Sequence, residues 1–339
     1  MLNVLFVTTP IFILIAIGFL VVKRGILKPS EVPTLGRLVT MVLLPSLIFV
    51  SLSQRSFDEV MNGTYLLLYG IGSVGLFMGV LLYCHLKRGQ PFVSSTLNAL
   101  ASTCSNSGYI GFPLVTALVG PTATVALALC MIIENAVIIP LALVLAETGQ
   151  NRKGSVLMSV FKTLALLVKS PVSLSITAGL LASILEIQLP GPLLKAVQMT
   201  AGASGALALI TIGGMLAGLS LSALKGSMAE ILTPAVGKLV LHPLVMMILL
   251  LIFPDFDPQL QVAAVAMACS PMLSIYPILS AKYGYDGVAA ATLLVGTIAS
   301  FFTISFAFWL FGATGFLELG TEVFPDWLLG WPRLRGGDM

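Results

Sequence analysis

The sequence has little charge. Asp, Glu, Lys and Arg make up only 9% of its 339 residues, whereas soluble domains carry about 25%. Apolar residues make up 58%, and the mean hydropathy is +1.04. Polar residues are too few to coat soluble domains of this length, so lipid must surround most of the chain. This excludes soluble enzymes, nucleic-acid-binding proteins, coiled coils and disordered chains. The net charge of +3 is too small to indicate an acidic partner.

Residues for metal, redox or nucleophilic chemistry are also scarce. The four cysteines lie singly in apolar runs, without a CxxC pair or a disulfide framework. No second His or carboxylate stands at metal-ligand spacing, and nothing resembles a P-loop. An intramembrane enzyme would need a nucleophile–base pair or a metal at bilayer depth, which Glu134 alone does not supply. We therefore expect no cofactor, no metal and no enzymatic activity.

Ten apolar runs are long enough to cross a bilayer. A bilayer core of roughly 30 Å needs about 20 apolar residues in a helix. The runs, called spans one to ten, lie near residues 2–22, 33–53, 63–86, 92–119, 121–146, 171–187, 193–221, 230–253, 260–282 and 286–312. The first has no basic segment or small-residue cleavage site, so we interpret it as a retained span. The sequence predicts an all-α polytopic membrane protein.

Basic residues predict the orientation in an inner or plasma membrane. The odd-numbered loops hold eleven Lys and Arg residues, whereas the even-numbered loops hold Arg55 alone. Positively charged loops stay in the cytoplasm, so we expect both termini on the other side. The loop 147–170 has the pattern of an amphipathic helix on an anionic inner leaflet. Residues 313–339 form a predicted external tail.

The segments 1–146 and 171–312 carry matching proline, glycine and serine positions. Pro10, Gly18 and Pro29 match Pro171, Gly179 and Pro190 in spacing, Ser-Leu-Ser at 51–53 matches 220–222, and Pro113–Gly120 matches Pro277–Gly284. Five spans per half is an odd number, so the second half would be inverted in the membrane. The pattern predicts a 5+5 inverted repeat, which is typical of secondary transporters.

Spans four and nine correspond in the two halves, and proline and glycine interrupt both near the middle. An interior proline removes a hydrogen bond and clashes with the preceding turn. In hydrocarbon, the freed backbone groups are tolerated only against protein or a watery cavity. The interruptions are either kinks packed by small residues or a substrate site, and their correspondence favours the site. Half-helices beginning near Pro113 and Pro277 would aim positive dipole ends at a carboxylate.

These segments resemble the auxin efflux carrier family, which includes plant PIN-type exporters and bacterial malonate-type carriers. Asn106-x4-Gly111-x-Pro113 is similar to its first crossover, Pro277 with Ala281-Lys282-Tyr283 to its second, and Lys238-x4-Pro243 to its span eight. The resemblance implies a scaffold, a moving transport domain and organic-anion substrates bound where the two helices cross. The crossover asparagine of the family maps onto Asn106. The second crossover has Ser274 and Tyr276 and no asparagine, so the resemblance does not specify a substrate.

The candidate substrate-binding residues are Asn106, Ser107, Gly111, Pro113, Ser274, Tyr276, Pro277 and Asn135. The candidates for ion coupling are the charges and the histidine inside spans: Glu134, Lys238 and His242. Charges at membrane depth usually mark a pathway or a partner. Glu134 can carry a coupling proton, or it can form a static pair with Lys238. His242 shares a helix face with Lys238 at i, i+4, as a polar packing residue or a proton relay.

The function that fits these features is secondary active transport of a small carboxylate or dicarboxylate by elevator-type alternating access. A coupling proton or sodium ion would drive it. The partners are the substrate, this ion and the lipid bilayer, with no nucleic acid; a homodimer is compatible with the sequence. The alternative is an ion channel whose pore is lined by the broken helices.

Overall fold

The computed structural model describes residues 2–150, 169–218 and 228–313. In these ranges the chain is helical, and its β-structure is a single bridge between Ser105 and Met272. Six helical segments in the described ranges are long and apolar enough to cross a membrane: Val32–Ser53, Phe57–Lys87, Ser107–Gly149, Gly191–Gly218, Met228–Leu250 and Asp286–Leu310. The part of the chain in these ranges is therefore all-helical, consistent with a polytopic membrane protein. The ten-span inverted repeat stays a prediction.

Fifteen helices are numbered here in chain order within the described ranges. They are α1 (Leu2–Lys23), α2 (Val32–Ser53), α3 (Phe57–Val60), α4 (Gly63–Leu82), α5 (Phe92–Thr103), α6 (Phe112–Val119), α7 (Ala123–Ile133), α8 (Ile139–Gly149), α9 (Pro171–Ile184), α10 (Gly191–Gly202), α11 (Ser204–Gly218), α12 (Met228–Leu250), α13 (Pro258–Cys269), α14 (Tyr276–Ala281) and α15 (Asp286–Ala313). Single π turns lead into α6 (Ser107–Gly111) and join α7 to α8 (Glu134–Ile138). Others lie within α2 (Val39–Leu43) and α12 (Gly237–Leu241).

Local sequence signals account for several helix ends. The side chains of Asn62, Ser170 and Asp257 accept hydrogen bonds from the third residue beyond them, which caps α4, α9 and α13. Gly120 and Gly284 have φ of +59° and +80° where the chain turns after α6 and α14. Glycine adopts this left-handed conformation without a steric cost.

The helices pack as two groups. The first group is α1, α2 and α9 to α11, in which α1 lies along α11 and α9 lies along α2. A Cβ on Gly18 of α1 would lie only 2.0 Å from the carbonyl oxygen of Ile210 in α11. This contact therefore brings two backbones together. The second group contains α4 to α8 and α12 to α15, and it holds both predicted interruptions.

Span seven, predicted at residues 193–221, lies in the helical segment Gly191–Gly218. A turn at Ala203 divides this segment into α10 and α11. Gly202 and Gly205 flank this point, and each glycine costs about 1 kcal/mol of helix propensity relative to alanine. Most of the loop 147–170, the Ser-Leu-Ser at 220–222 and the tail from residue 314 lie outside the described residues.

Candidate functional site

The interruptions of spans four and nine meet each other. Helix α5 ends at Thr103 and α13 ends at Cys269. The segments that follow run antiparallel, and Ser105 pairs with Met272. The backbone N–H of Asn106 donates to the carbonyl of Pro271 at 2.7 Å, and that of Leu273 donates to the carbonyl of Cys104 at 3.2 Å. Backbone groups that have left a helix are thus satisfied by the opposite segment, as an apolar surrounding requires.

The second halves of both spans begin just beyond this crossing. Pro277 lies in the first turn of α14, where the missing N–H of proline has no helical partner to lose. Pro113 lies at the start of α6, directly after the π turn Ser107–Gly111. Asn106 stands at the start of the π turn before α6, and its carbonyl accepts hydrogen bonds from the N–H groups of Ile110 and Gly111. A Cβ on Gly111 would lie 2.9 Å from the sulfur of Met267 in α13. Glycine here allows the two spans to approach closely.

Glu134 is buried against the crossing, with 4% of its surface exposed. Its Oε1 accepts the backbone N–H of Ser105 at 2.6 Å, and its Oε2 accepts the hydroxyl of Ser107 at 2.7 Å. Both carboxylate oxygens therefore accept hydrogen bonds from residues on either side of Asn106. The acidic side chain of span five fixes the first interruption in place.

Lys238 is fully buried on the other side of the crossing. Its Nζ donates to Ser105 Oγ at 2.6 Å and to the carbonyl of Ala268 at 3.0 Å, and it lies 2.7 Å from His242 Nδ1. An ammonium group has three donors and no acceptor, so these partners use all of them. Gly237 permits the approach, because a Cβ there would lie 2.4 Å from Ser102 Oγ in α5.

His242 and Ser105 complete the network around Lys238. With Nδ1 accepting from the ammonium group, a neutral His242 carries its proton on Nε2 and donates it to Ser73 Oγ at 3.1 Å. Ser105 Oγ donates to the carbonyl of Met267 at 2.9 Å, which leaves it to accept from Tyr69 at 3.2 Å. Every polar group in this cluster has a partner.

The expected pairing of Glu134 with Lys238 takes an indirect form. In the described part of the chain no ion pair joins their charged atoms within 4 Å. Both side chains instead bind Ser105, Glu134 through the backbone N–H and Lys238 through the hydroxyl. The negative charge of the first half and the positive charge of the second half are therefore linked through one residue of the crossing.

Asn106 differs from its neighbours because its side-chain amide is not fully paired. The residue is 3% exposed, and its Nδ2 has no hydrogen-bond partner. Asparagine at a helix start commonly caps the helix through its side chain, but here the side chain makes no cap hydrogen bond. A buried donor without a partner costs free energy, so an acceptor placed against this amide would remove that cost.

The other candidate residues differ in their burial and in their hydrogen-bond partners. Ser107 and Gly111 are buried beside Asn106 and Pro113 follows them, half-buried. In the second segment Tyr276 is buried, and Ser274 and Pro277 are half-buried. Asn135 is half-buried, and its Nδ2 donates to the carbonyl of Met131 in its own helical segment at 2.9 Å. Among the sequence candidates, the geometry therefore connects Ser107 directly with Glu134, whereas Asn135 bonds within its own helical segment.

Three members of the network were not among the sequence candidates: Ser105, Tyr69 and Ser73. Hydroxyl groups are frequent in membrane helices, so none of the three stands out alone. One signal was present in the spacing. Tyr69 and Ser73 are four residues apart in span three, as are Lys238 and His242 in span eight, so each pair shares a helix face. The described residues contain no group of three or more His, Cys, Asp or Glu side chains that could hold a metal ion.

Comparison with known proteins gives one consistent result. A family model described as "Membrane transport protein" matches residues 4–310. A protein of Rhizobium meliloti (strain 1021) named "Putative malonate transporter" is 29% identical over 310 residues, covering 87% of this chain and 92% of that protein. The "Uncharacterized transporter YfdV" of Escherichia coli (strain K12) is 25% identical over 309 residues, covering 89% and 95%. These matches confirm the resemblance drawn from the crossover residues.

Proposed function

The chain belongs to the membrane transport protein family, and we propose that it is a secondary carrier of a small carboxylate or dicarboxylate. The substrate binds where spans four and nine cross. The observation that carries this proposal is the unpaired, buried Nδ2 of Asn106 beside the helical start that leads into α6. A helix start presents N–H groups and a positive dipole end, which favour an anion.

The fixed charges of the crossing leave the substrate carboxylate to neutral donors. All three donors of Lys238 are used by protein groups, and Glu134 would repel an anion. The Asn106 amide and the start of the half-helix remain as the recognition elements. The name of the Rhizobium meliloti relative favours a short dicarboxylate such as malonate.

Transport in this proposal is a movement of the second helix group against the first. The packing supports the inverted repeat behind such a movement, because α1 lies along α11 and α9 lies along α2. In the repeat α1 corresponds to α9, and α2 corresponds to the span that contains α11. The contact of α1 with α11 is therefore the counterpart of the contact of α9 with α2. Gly18 and Gly179, which correspond in the repeat, both lie at these contacts: a Cβ on Gly179 would lie 2.9 Å from Leu52 Cβ. The first group is the scaffold in this proposal, and the termini lie outside the cytoplasm.

Glu134 is the proposed site of a coupling proton. Its Oε1 must accept, because its partner is a backbone N–H, but its Oε2 faces a hydroxyl that can donate or accept. A proton on Oε2 would turn Ser107 from a donor into an acceptor, next to Asn106 in the chain. Protonation of Glu134 would thereby change the polar surface that meets the substrate.

Ligand-induced stabilisation of the purified protein tests the binding site. A ligand at 100 times its dissociation constant stabilises the folded state by about 2.7 kcal/mol. Malonate and related carboxylates should raise the melting temperature of the wild type and leave that of Asn106→Ala unchanged. Asn98→Ala is the matched control, since Asn98 is equally buried but its Nδ2 already donates to Gln90 Oε1 at 3.0 Å.

The control should lower the starting stability and keep the ligand-induced shift. A full shift in Asn106→Ala would refute the site, and the absence of a shift for every carboxylate in the wild type would refute the substrate class.

Uptake into proteoliposomes tests the coupling of transport to protons. Folded Glu134→Gln, which mimics the protonated carboxyl, should bind substrate but lose the response of uptake to a proton gradient. An unchanged response would exclude Glu134 as the proton carrier.

A further inference from the structure

Tyr109 joins the two helix groups by hydrogen bonds. It lies in the π turn of the second group, three residues after Asn106, and 8% of it is exposed. Its hydroxyl donates to the carbonyl of Gly36 at 2.9 Å and lies 2.9 Å from the hydroxyl of Thr40. Gly36 and Thr40 belong to α2 of the first group. By contrast, the bonds of Glu134 and Lys238 stay within the second group.

The two α2 residues that Tyr109 contacts also contact each other. Thr40 Oγ1 lies 2.9 Å from the Gly36 carbonyl oxygen, so two hydroxyl protons serve three mutual contacts. Tyr109 donates to Gly36, and Thr40 donates either to Gly36 or to the Tyr109 hydroxyl. Gly36 is buried and Thr40 is half-buried, so little water is available to replace a lost partner. Separation of the two groups at this point would leave polar atoms unpaired.

The neighbouring residue places the turn closely against the same helix. A Cβ on Gly108 would lie 2.8 Å from Leu44 Cδ1 in α2. Gly36, Thr40 and Leu44 follow at intervals of four residues, and all three face the Gly108–Tyr109 pair. Because O–H···O hydrogen bonds span only about 2.5–3.0 Å between their oxygens, a slide of a few ångströms along α2 would break this contact.

We propose that Tyr109 is a conformational latch: its bonds to Gly36 and Thr40 hold the substrate-binding turn against α2 in the observed conformation, and they open in each transport cycle. The inference rests on the proposed elevator movement. It adds Tyr109 as a residue that sets the equilibrium between the two conformations of that movement. A contact present in one of two conformations shifts their populations by its own free energy. The latch lies three residues from Asn106, so occupation of the site and release of the latch can be coupled.

Distance measurements on spin-labelled full-length protein in nanodiscs test the latch without a known substrate. Ile26→Cys and Leu86→Cys place labels on exposed positions that flank the first and second groups, and the four native cysteines are buried. Tyr109→Phe and Thr40→Val remove the hydroxyls while keeping the side-chain shapes. Each should reduce the ratio of the observed conformation to the alternative about two- to tenfold, the equivalent of one net hydrogen bond.

Tyr65→Phe is the matched control. Tyr65 is a buried tyrosine whose hydroxyl donates to the carbonyl of Ala126 at 3.4 Å, and both residues belong to the second group. Its removal should leave the distance distribution unchanged. A wild type with two distances whose ratio Tyr109→Phe and Thr40→Val do not alter would refute the latch alone. A wild type with one fixed distance, at every pH and with every carboxylate tested, would refute the movement itself and the latch with it.

Discussion

Glu134 and Lys238 bind the same residue from opposite sides, although 104 positions separate them in the chain. The carboxylate holds the backbone N–H of Ser105, and the ammonium group donates to its hydroxyl. Charges buried in an apolar region are tolerated when they are compensated and hydrogen-bonded. Here the compensation passes through the segment that forms the crossing, so the charges and the crossing should depend on each other.

Replacement of Ser105 by alanine should destabilise the protein by about 1.5–3 kcal/mol, the range for hydrogen bonds to charged groups. The variant removes the acceptor of one Lys238 donor and one hydrogen-bond partner of the Tyr69 hydroxyl. Thermal unfolding of the purified protein measures the effect. Ser175→Ala is the control, because the hydrogen bond of this buried hydroxyl within the described ranges goes to the carbonyl of Val172 in its own helix. Equal melting temperatures for the two variants would contradict the assigned role of Ser105.

The two buried charges should be coupled energetically. Lys238→Met alone leaves Glu134 uncompensated and should cost about 3–5 kcal/mol. Combined with Glu134→Gln, the loss should be smaller than the sum of the single losses, with a coupling of about 1–3 kcal/mol. A double-mutant cycle of unfolding free energies measures this coupling. Strict additivity would show that the charges do not sense each other through Ser105.

The contact between α1 and α11 should not tolerate a side chain at Gly18. A Cβ there would lie 2.0 Å from the carbonyl of Ile210, so Gly18→Ala must separate two backbones at a cost of about 1–3 kcal/mol. Gly75→Ala is the control: it lies in the middle of α4, and among the described residues no atom beyond its chain neighbours and its own helix backbone lies within 4 Å of the added Cβ. The control should gain about 0.5–1 kcal/mol from helix propensity. A stable Gly18→Ala variant would mean that the helices are not packed this closely.

The surface pair between Lys282 and Glu147 should contribute little. The Lys282 side chain is 55% exposed, and exposed ion pairs contribute about 0–1 kcal/mol. Tyr283 also donates to Glu147 at 3.1 Å. Lys282→Met should therefore change the melting temperature only slightly, and less at high salt. A large loss of stability would reveal a role for this pair beyond simple charge attraction.

The sequence allowed some of these residues to be anticipated and not others. Glu134, Lys238 and His242 were identifiable because each is unusual inside an apolar span. Pro113 and Pro277 marked the second halves of spans four and nine, where they occupy the first turns of α6 and α14. Each of these signals is a single residue of an unusual type inside an apolar span. The sequence shows such a residue directly.

Residues whose importance depends on their neighbours could not be anticipated in this way. Ser105 is one of many serines, and its position between two charges follows from the pairing of two segments that lie far apart in the chain. The indirect link between Glu134 and Lys238 depends on the same pairing. The break between α10 and α11 lacks a proline, so small residues alone did not distinguish it from a continuous helix.

The antiparallel bridge between Ser105 and Met272 has a consequence for biosynthesis. Ser105 and Glu134 leave the ribosome well before Lys238 and Met272, so the early spans must enter the membrane with a carboxylate that has no lysine to balance it. Assembly of the centre therefore has to wait until α13 has been inserted and the following segment has been translated. A nascent chain stopped before that point keeps the bonds of Glu134 to Ser105 and Ser107 but lacks the carbonyl of Pro271, so the backbone N–H of Asn106 would have no acceptor in the crossing.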